Sequence, residues 1–480
     1  MMMDKPRRSR PVVAILGGGL SGAVTALNLG QTLGPDAAEI VVVEPREMLG
    51  GGLAYSTGDA AHRINVPAAK MTIVSDQPNH FMDWLAAERI TMSPSTLTLR
   101  GDFFPERRIF GRYIAAQLAP LVARGIVRHC CTSAVAARRA EGRWLIDLAD
   151  GTSLVADFVV LAMSHPAPAV PGVLRDLAGS PALVADPYDN ARIAALAGTE
   201  RILIVGTGLT SADVVASLDR LGHRGRITAL SRHGLRSRGH GVVEHPSEAD
   251  FATDPAQTAV SLLRRIRAAV AADAALGQSW HATLDRVREQ GPAIWAALPA
   301  GERRRLVRHL RTAWDVHRFR VAPQVEDVVE REMRRGRLDV VAARLVTARE
   351  TPDGIEVAWR PRGSATVVTA TFGAVVVTTG PDHGTILQSN PVFRTLAADG
   401  LLCADPNGLG LLVEDHCRSV DAGGGLSDTL LVAGPLARGH VGELMGVPEA
   451  TRHAEHVAGI LSARIRDIAG PLLSPLNTTG

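Results

Sequence analysis

Two glycine-rich segments hold the residues best suited to chemistry. Gly17-Gly18-Gly19-Leu20-Ser21-Gly22 directly follows the apolar run Pro11–Leu16, and Gly206-Thr207-Gly208-Leu209-Thr210-Ser211 directly follows Arg201–Val205. In a strand-to-helix turn of this kind the first glycine permits the tight turn. The second lets the backbone approach a pyrophosphate, and the third lets the helix pack on its strand. The helix start then offers N–H groups and partial positive charge to the phosphates. Gly17, Gly19 and Gly22 fill these positions in the first turn, with Leu20 and Ser21 between. Gly206 and Gly208 fill two in the second; Ser211, still small, takes the third after Leu209 and Thr210. Two such turns in one chain point to two dinucleotides that meet, and so to redox chemistry.

The two turns lead into different second strands. After the first, the pattern predicts a helix over Ala23–Leu33 and a strand, Ile40–Val43, ending at Glu44. A carboxylate there can bind ribose hydroxyls. The second turn leads to Gly225–Leu230 and then Ser231-Arg232-His233-Gly234, with no carboxylate. Arg232, with His233, Arg236 and Arg238 near, suits a ribose 2′-phosphate. That favours NADPH and leaves NADH open, because the only lysines are Lys5 and Lys70 among 52 basic residues, so an arginine at any one place is weak evidence.

Two modules of one design must position these turns. In the first, Trp144–Leu148 alternates as a strand, Asp150-Gly151 turns, Ser153–Ala156 pairs back, and Asp157–Ala162 is a buried strand. In the second, Gly354–Trp359, Arg362-Gly363, Thr366–Thr371 and Ala374–Thr378 repeat that plan. The expected fold is α/β: two Rossmann-like dinucleotide-binding domains, each a three-layer ββα unit, the second inserted in the first. The expected bounds are 1–198 for the first part of the first domain, 199–380 for the second, and 381–480 for the return to the first. A helical insertion is expected at about 240–330, with Leu262, Leu263, Ile266 and Val270 on one face and Leu306, Leu310, Trp314 and His317 on another. In the return, Thr429–Ala433 reads as a strand ending at Gly434. A helix over Glu449–Ile468 comes next, with Val457, Leu461, Ile465 and Ile468 on one face. A helix start of this kind can stabilise negative charge on a cofactor ring.

Composition narrows the function. The 480 residues carry 46% hydrophobic and 21% charged side chains and a net charge of +3, which is ordinary for a globular protein and too weak to imply nucleic acid or an anionic membrane. Aromatics at 4% argue against base-stacking platforms. The four cysteines, Cys130, Cys131, Cys403 and Cys417, form no Cys-x-x-Cys pair, which fits a cytoplasmic protein and counts against dithiol reductases. The basic N-terminus, Met1–Arg10, runs into the first strand rather than a leader peptide, and no apolar run spans a membrane. His416 and Cys417 are adjacent without further ligands, so no metal site is expected.

Further motifs carry a resemblance. They are Gly50-Gly51-Gly52-Leu53-Ala54-Tyr55, His62-Arg63-Ile64-Asn65-Val66-Pro67 with Met71 behind it, Phe81-Met82-Asp83-Trp84-Leu85, and Trp314-Asp315-Val316-His317-Arg318-Phe319-Arg320. With the two turns, they resemble the FAD-NAD(P)-binding monooxygenase-like family, which is related to class B and N-hydroxylating flavin monooxygenases and includes a urate hydroxylase. The resemblance implies FAD on Gly17, Gly19, Gly22 and Glu44, with Gly52 beside it, and Asn65, Met71 and Gly434 near the isoalloxazine. It implies NADPH on the second turn, Ser231 and Arg232. Hydride would pass to the flavin, and a C4a-hydroperoxide would hydroxylate a small polar substrate. Asn65, His317, Arg318 and Arg320 are candidate contacts for an anion such as urate or an amino acid, although a purely structural arginine cluster fits the same spacing. One departure is Leu161-Ala162-Met163-Ser164, where many relatives have Ala-Thr-Gly. A flavin NAD(P)H:acceptor oxidoreductase without oxygen insertion and a non-catalytic redox sensor stay open, as does a homodimer.

Overall fold

The computed structural model describes residues 10–469 apart from 93–96, 99 and 100. Most of the basic N-terminal stretch, with Lys5, and the last eleven residues lie outside the described residues. The first module comprises β1 (Val12–Leu16), β2 (Glu39–Val43), β3 (Val127–Cys130), β4 (Ala134–Ala140), β5 (Arg143–Leu148), β6 (Ser153–Ala156) and β7 (Phe158–Leu161). The second comprises β8 (Leu183–Val184), β9 (Arg201–Val205), β10 (Arg226–Ser231), β11 (Leu338–Thr351), β12 (Gly354–Pro361), β13 (Val368–Phe372) and β14 (Ala374–Val377). The return adds β15 (Arg418–Val420) and β16 (Leu426–Val432) to the first module.

The first sheet runs β15-β16-β7-β1-β2-β3, parallel except at β15, and the meander β4-β5-β6 forms a separate sheet. Strand alternation explains the layering. Val13 and Ile15 of β1 face the helices, whereas Ala14 and Leu16 face the meander residues Trp144, Ile146 and Leu154. Both faces of β1 are buried, hence its unbroken apolar run. The second module repeats this. Ile202 and Ile204 face the helix Leu209–Arg220, and Leu203 and Val205 face Ile355, Val357 and Phe372 of its meander.

The modules differ in a way that local sequence does not signal. In the second, one 14-residue strand, β11, pairs parallel with β10 and antiparallel with β12, so its meander continues the main sheet: β13-β12-β11-β10-β9-β14-β8. In the first, the break at residues 131–133 splits the corresponding path into β3 and β4.

Several bounds shift. The first helix begins at Leu20 rather than Ala23. The last meander strand begins at Val368 rather than Thr366. Upstream of the expected boundary near 198, β8 pairs with β14 and Leu174 packs in the second module's core. The insertion lies in the β10–β11 crossover. Its helices are Ala259–Ala275, Trp280–Glu289, Gly291–Ala297 and Ala300–Arg318. Their core joins Phe251, Leu262, Val287, Ile294 and Leu298 with Ile266, Leu306 and Trp314. The next helix, Pro323–Arg334, is the crossover itself, since parallel β10 and β11 need one, and it packs on Leu209–Arg220. The terminal helix Val447–Ala469 buries Val457, Leu461 and Ile465 against Leu20–Leu33, but Ile468, in its last turn, is 51% exposed.

Candidate dinucleotide sites and the interface between them

At the first turn the backbone itself forms the cradle. Gly17 has φ +101°, and a Cβ there would lie 2.6 Å from the Ala162 carbonyl oxygen and 2.9 Å from Met163 Cα. The divergent Ala162-Met163 segment therefore abuts the turn. A Cβ on Gly22 would stand 1.9 Å from the Gly17 oxygen, so helix Leu20–Leu33 needs glycine to pack here. Gly19 begins that helix with no side-chain cap, leaving the helix-start N–H groups for a ligand. Gly52 passes close over Gly19: its Cβ would lie 3.0 Å from Gly19 Cα. Buried Glu44 is fixed at the rim, its Oε2 accepting from Gly18 N at 2.9 Å and its Oε1 from Arg46 Nη1 at 2.8 Å. These residues fit a dinucleotide pyrophosphate with its ribose beside Glu44.

The return closes over the same turn. Gly434 has φ +79°, and a Cβ on it would stand 2.0 Å from Ser21 Oγ. Gly434 N donates to His453 Nδ1 at 3.1 Å, and His453 Nε2 lies 3.5 Å from Cys417 Sγ. Burial holds His453 down at about 4, so it stands as a neutral acceptor under Gly434.

At the second turn Gly206 has φ +125°, and its Cβ would lie 2.4 Å from the Thr378 oxygen. A Cβ on Gly208 would meet nothing within 4 Å, and no side chain caps helix Leu209–Arg220. Ser211 is buried and packs as a third glycine would. Ser231 Oγ accepts from Thr207 Oγ1 at 2.8 Å and from Gly234 N at 3.0 Å, tying the loop that carries Arg232 to the turn. Arg232 opens onto a groove of about 590 Å³ that also holds His233, Arg344, Arg360 and Arg362. Arg344 and Arg360 stand directly opposite each other on β11 and β12. None of these four guanidinium groups pairs with an acid among the described residues. Opposed like charges are unfavourable unless an anion joins them. Sequence spacing put Arg236 and Arg238 beside Arg232, but Arg236 reaches Glu330 at 3.4 Å, and Arg238 pins Val316 and Val321 through its backbone.

Between the turns the modules meet through side chains. His62 Nδ1 contacts Thr57 Oγ1 at 2.8 Å, and its Nε2 contacts Ser217 Oγ at 3.1 Å. Arg220 pairs with Asp59 at 2.8 Å and Arg107 with Asp213 at 2.8 Å. Burial lowers the His62 pKa despite Asp213 nearby, so it is uncharged. Asn65 Oδ1 accepts from Ala322 N at 3.2 Å, and its carbonyl oxygen contacts His240 Nε2 at 3.0 Å. Asn65 thus joins the first module to the second rather than standing in a plain loop, while Met71 is core.

Residues 14–166 match a protein-family model described as FAD-NAD(P)-binding. The match covers most of the first module's N-terminal part and is a likeness of that part alone. No curated protein matches the chain at a significant level. Solved structures share the whole fold. L-lysine 6-monooxygenase from Pseudomonas syringae is 16% identical, with 96% of this chain and 100% of that one covered and a TM-score of 0.64. Ornithine hydroxylase from Pseudomonas aeruginosa is 17% identical over 95% and 100%, TM-score 0.63. The FAD-bound cadaverine monooxygenase from Erwinia amylovora is 13% identical over 95% and 95%, TM-score 0.61. At these identities the likeness is one of fold.

The insertion docks on the return of the FAD-NAD(P)-binding module, and there the expected anion site dissolves. Arg318 is buried against Glu443 at 3.0 Å and Glu449 at 3.7 Å. Arg320 grips Asp285 at 2.9 and 3.2 Å and lies over the Trp280 ring. His317 Nδ1 contacts the Ala313 oxygen at 2.7 Å, its ring edge-on to Trp280. The three bases turn to different partners, and the two arginines are already neutralised, because acids distant in sequence arrive beside them. Arg344 and Arg360 were not singled out from sequence, because only the pairing of β11 with β12 brings them together, and Arg362 was read only as a turn residue. Among the described residues no helix is long and apolar enough to cross a membrane.

Proposed function

We propose that the chain is an FAD-dependent, NADPH-using monooxygenase that hydroxylates a small polar anion. One observation carries the reading: the helix leaving the second glycine turn is docked on the first module, through Ser217 on His62, Arg220 on Asp59 and Asp213 on Arg107. Two dinucleotides so bound face one interface under the helical insertion. The names of the fold relatives, an ornithine hydroxylase, an L-lysine 6-monooxygenase and a cadaverine monooxygenase, support oxygen transfer on this fold. They make amino-acid-like compounds candidates beside urate.

Bound FAD would supply hydride acceptance from NADPH and electron delivery to oxygen. The chain's part is to bind and shield. The first turn and Glu44 hold the FAD diphosphate and ribose. Gly208 gives the second diphosphate close approach, and Arg232, Arg344, Arg360 and Arg362 favour the extra phosphate of NADPH over NADH. Uncharged His62 and His240 line the module junction without placing a cation there; burial holds His240 at about 4. The insertion excludes water from that junction. Each turnover would consume one NADPH, one proton and one oxygen molecule, sending one oxygen atom to product and the other to water. The test supplies isotopically labelled oxygen, NADPH and either urate or L-ornithine to the FAD-loaded protein. Label in the product supports the proposal. NADPH consumption recovered wholly as hydrogen peroxide, or passed to quinones with no labelled product, removes it.

A further inference from the structure

The chain crosses between modules twice, and the crossings lie side by side. Pro168 and Pro381 bridge them, Ala169 N donates to the Gly380 oxygen at 2.9 Å, and Asp382 N donates to the Ala167 oxygen at 3.1 Å. Each crossing carries a histidine. The rings of His165 and His383 stand edge to face, 5.2 Å apart. Both ring nitrogens of His165 and Nδ1 of His383 are buried with no hydrogen-bond partner among the described residues. Burial, with Arg438 and Arg311 near, holds the two imidazoles at about 4 and about 3, so both are neutral.

Charged side chains stand near both rings. Arg438, on the return, is 5% exposed, and its Nη2 lies 3.9 Å from Asp315 Oδ1, beyond hydrogen-bond reach. That Oδ1 has no hydrogen-bond partner among the described residues. Arg311 approaches the other oxygen at 3.4 Å. One carboxylate is thus loosely shared by two guanidinium groups. Behind it Arg318 pairs with Glu443 and Glu449, and Arg288 with Glu449. Setting aside the exposed Arg452, four cations (Arg288, Arg311, Arg318, Arg438) meet three anions (Asp315, Glu443, Glu449), an excess of one positive charge. Buried polar atoms without partners oppose folding, whereas Arg288 and Arg311, 27% and 32% exposed, keep the excess charge partly solvated. Four separate stretches of chain converge on this arrangement.

We propose that this side-chain cluster binds a small organic monoanion, its carboxylate or equivalent oxyanion on Arg438 and Arg311 and its uncharged polar groups on His165 and His383. Identifying that monoanion as the substrate rests on the monooxygenase reading; the binding itself does not. It also moves anion recognition away from His317, Arg318 and Arg320.

Acetate, benzoate and urate are titrated into the FAD-loaded full chain, following the thermal midpoint and the heat of binding. At least one should bind saturably and raise the midpoint by roughly 3 °C at about a hundredfold excess over Kd. Arg438→Met should abolish the response, but it risks misfolding, so the double variant His165→Phe/His383→Phe decides. It removes three buried nitrogens that lack partners, so its unliganded midpoint should equal or exceed wild type while probe affinity falls at least tenfold. The proposal is overturned if no probe binds wild type saturably, if the double variant binds equally well, or if its unliganded midpoint drops. A protein that binds a probe through this cluster yet yields only hydrogen peroxide retains the proposal and loses the monooxygenase reading. Hydroxylation with unchanged KM in the double variant does the reverse.

Discussion

Replacing Arg344 or Arg360 by alanine should weaken NADPH and spare NADH. Both side chains are exposed in the groove that holds Arg232, and they stand opposite each other across β11 and β12 without acidic partners. A phosphate about 4 Å from a guanidinium gains about 1 kcal/mol per unit charge in water-like surroundings, and several times that where water is partly excluded. At the lower figure each substitution raises the NADPH KM about fivefold. The double variant raises it by less than the product of the two, because adjacent sites couple. Removing one arginine also relieves the like-charge pair, so the thermal midpoint should hold or rise slightly. The assay is initial-rate NADPH and NADH oxidation across salt concentrations. The expected pattern is a larger NADPH KM, an unchanged NADH KM and kcat, and a wild-type NADPH preference that shrinks with salt. Equal loss for both cofactors, or no loss for either, would refute the assignment of this groove to the 2′-phosphate.

The same geometry makes three further outcomes testable. Gly22→Ala places a methyl 1.9 Å from the Gly17 oxygen, so the purified protein should retain little flavin, measured by its visible absorbance, or fail to fold. Asp213→Ala strands the largely buried Arg107, and breaking such a pair should lower stability by about 3 kcal/mol in denaturant titration; a loss under about 0.5 kcal/mol would show the pair to be solvated. His165, His240 and His453 are each held at about 4 in the folded chain, against an ordinary value of 6.5. Below pH 6.5 the unfolded chain binds protons that the folded chain does not, so stability is full above that pH. It falls toward pH 4 by about 1.4 kcal/mol per pH unit for each histidine. A flat stability profile across that window would contradict the burial of these rings.

Much of the fold was legible in the sequence because its signals are local. The apolar runs before Gly17 and Gly206 alternate between two buried faces, and steric limits on a strand-to-helix turn demand glycine at Gly17, Gly22 and Gly206. The meander strands alternate against the same sheets. What stayed hidden was continuity across long gaps. β11 carries no regular alternation, because a bulge between Leu345 and Thr347 shifts its register in the meander. The place of β8 in the second sheet depends on pairing with β14, far along the chain.

By itself the sequence determined that two dinucleotide-type turns exist, that each heads a layered α/β module, and that one module interrupts the other. Glycine sterics and strand or helix periodicity act over a few residues, so composition and spacing suffice. Only the tertiary structure decided which cations stay free. Arg318 and Arg320 look available in sequence, yet Glu443 and Asp285 neutralise them. Arg344 and Arg360 look like surface residues, yet antiparallel pairing sets them face to face in a groove. His165 and His383 meet only because the two crossings run side by side. A charge becomes a binding group or a structural one according to what arrives beside it, and long-range folding alone brings those neighbours.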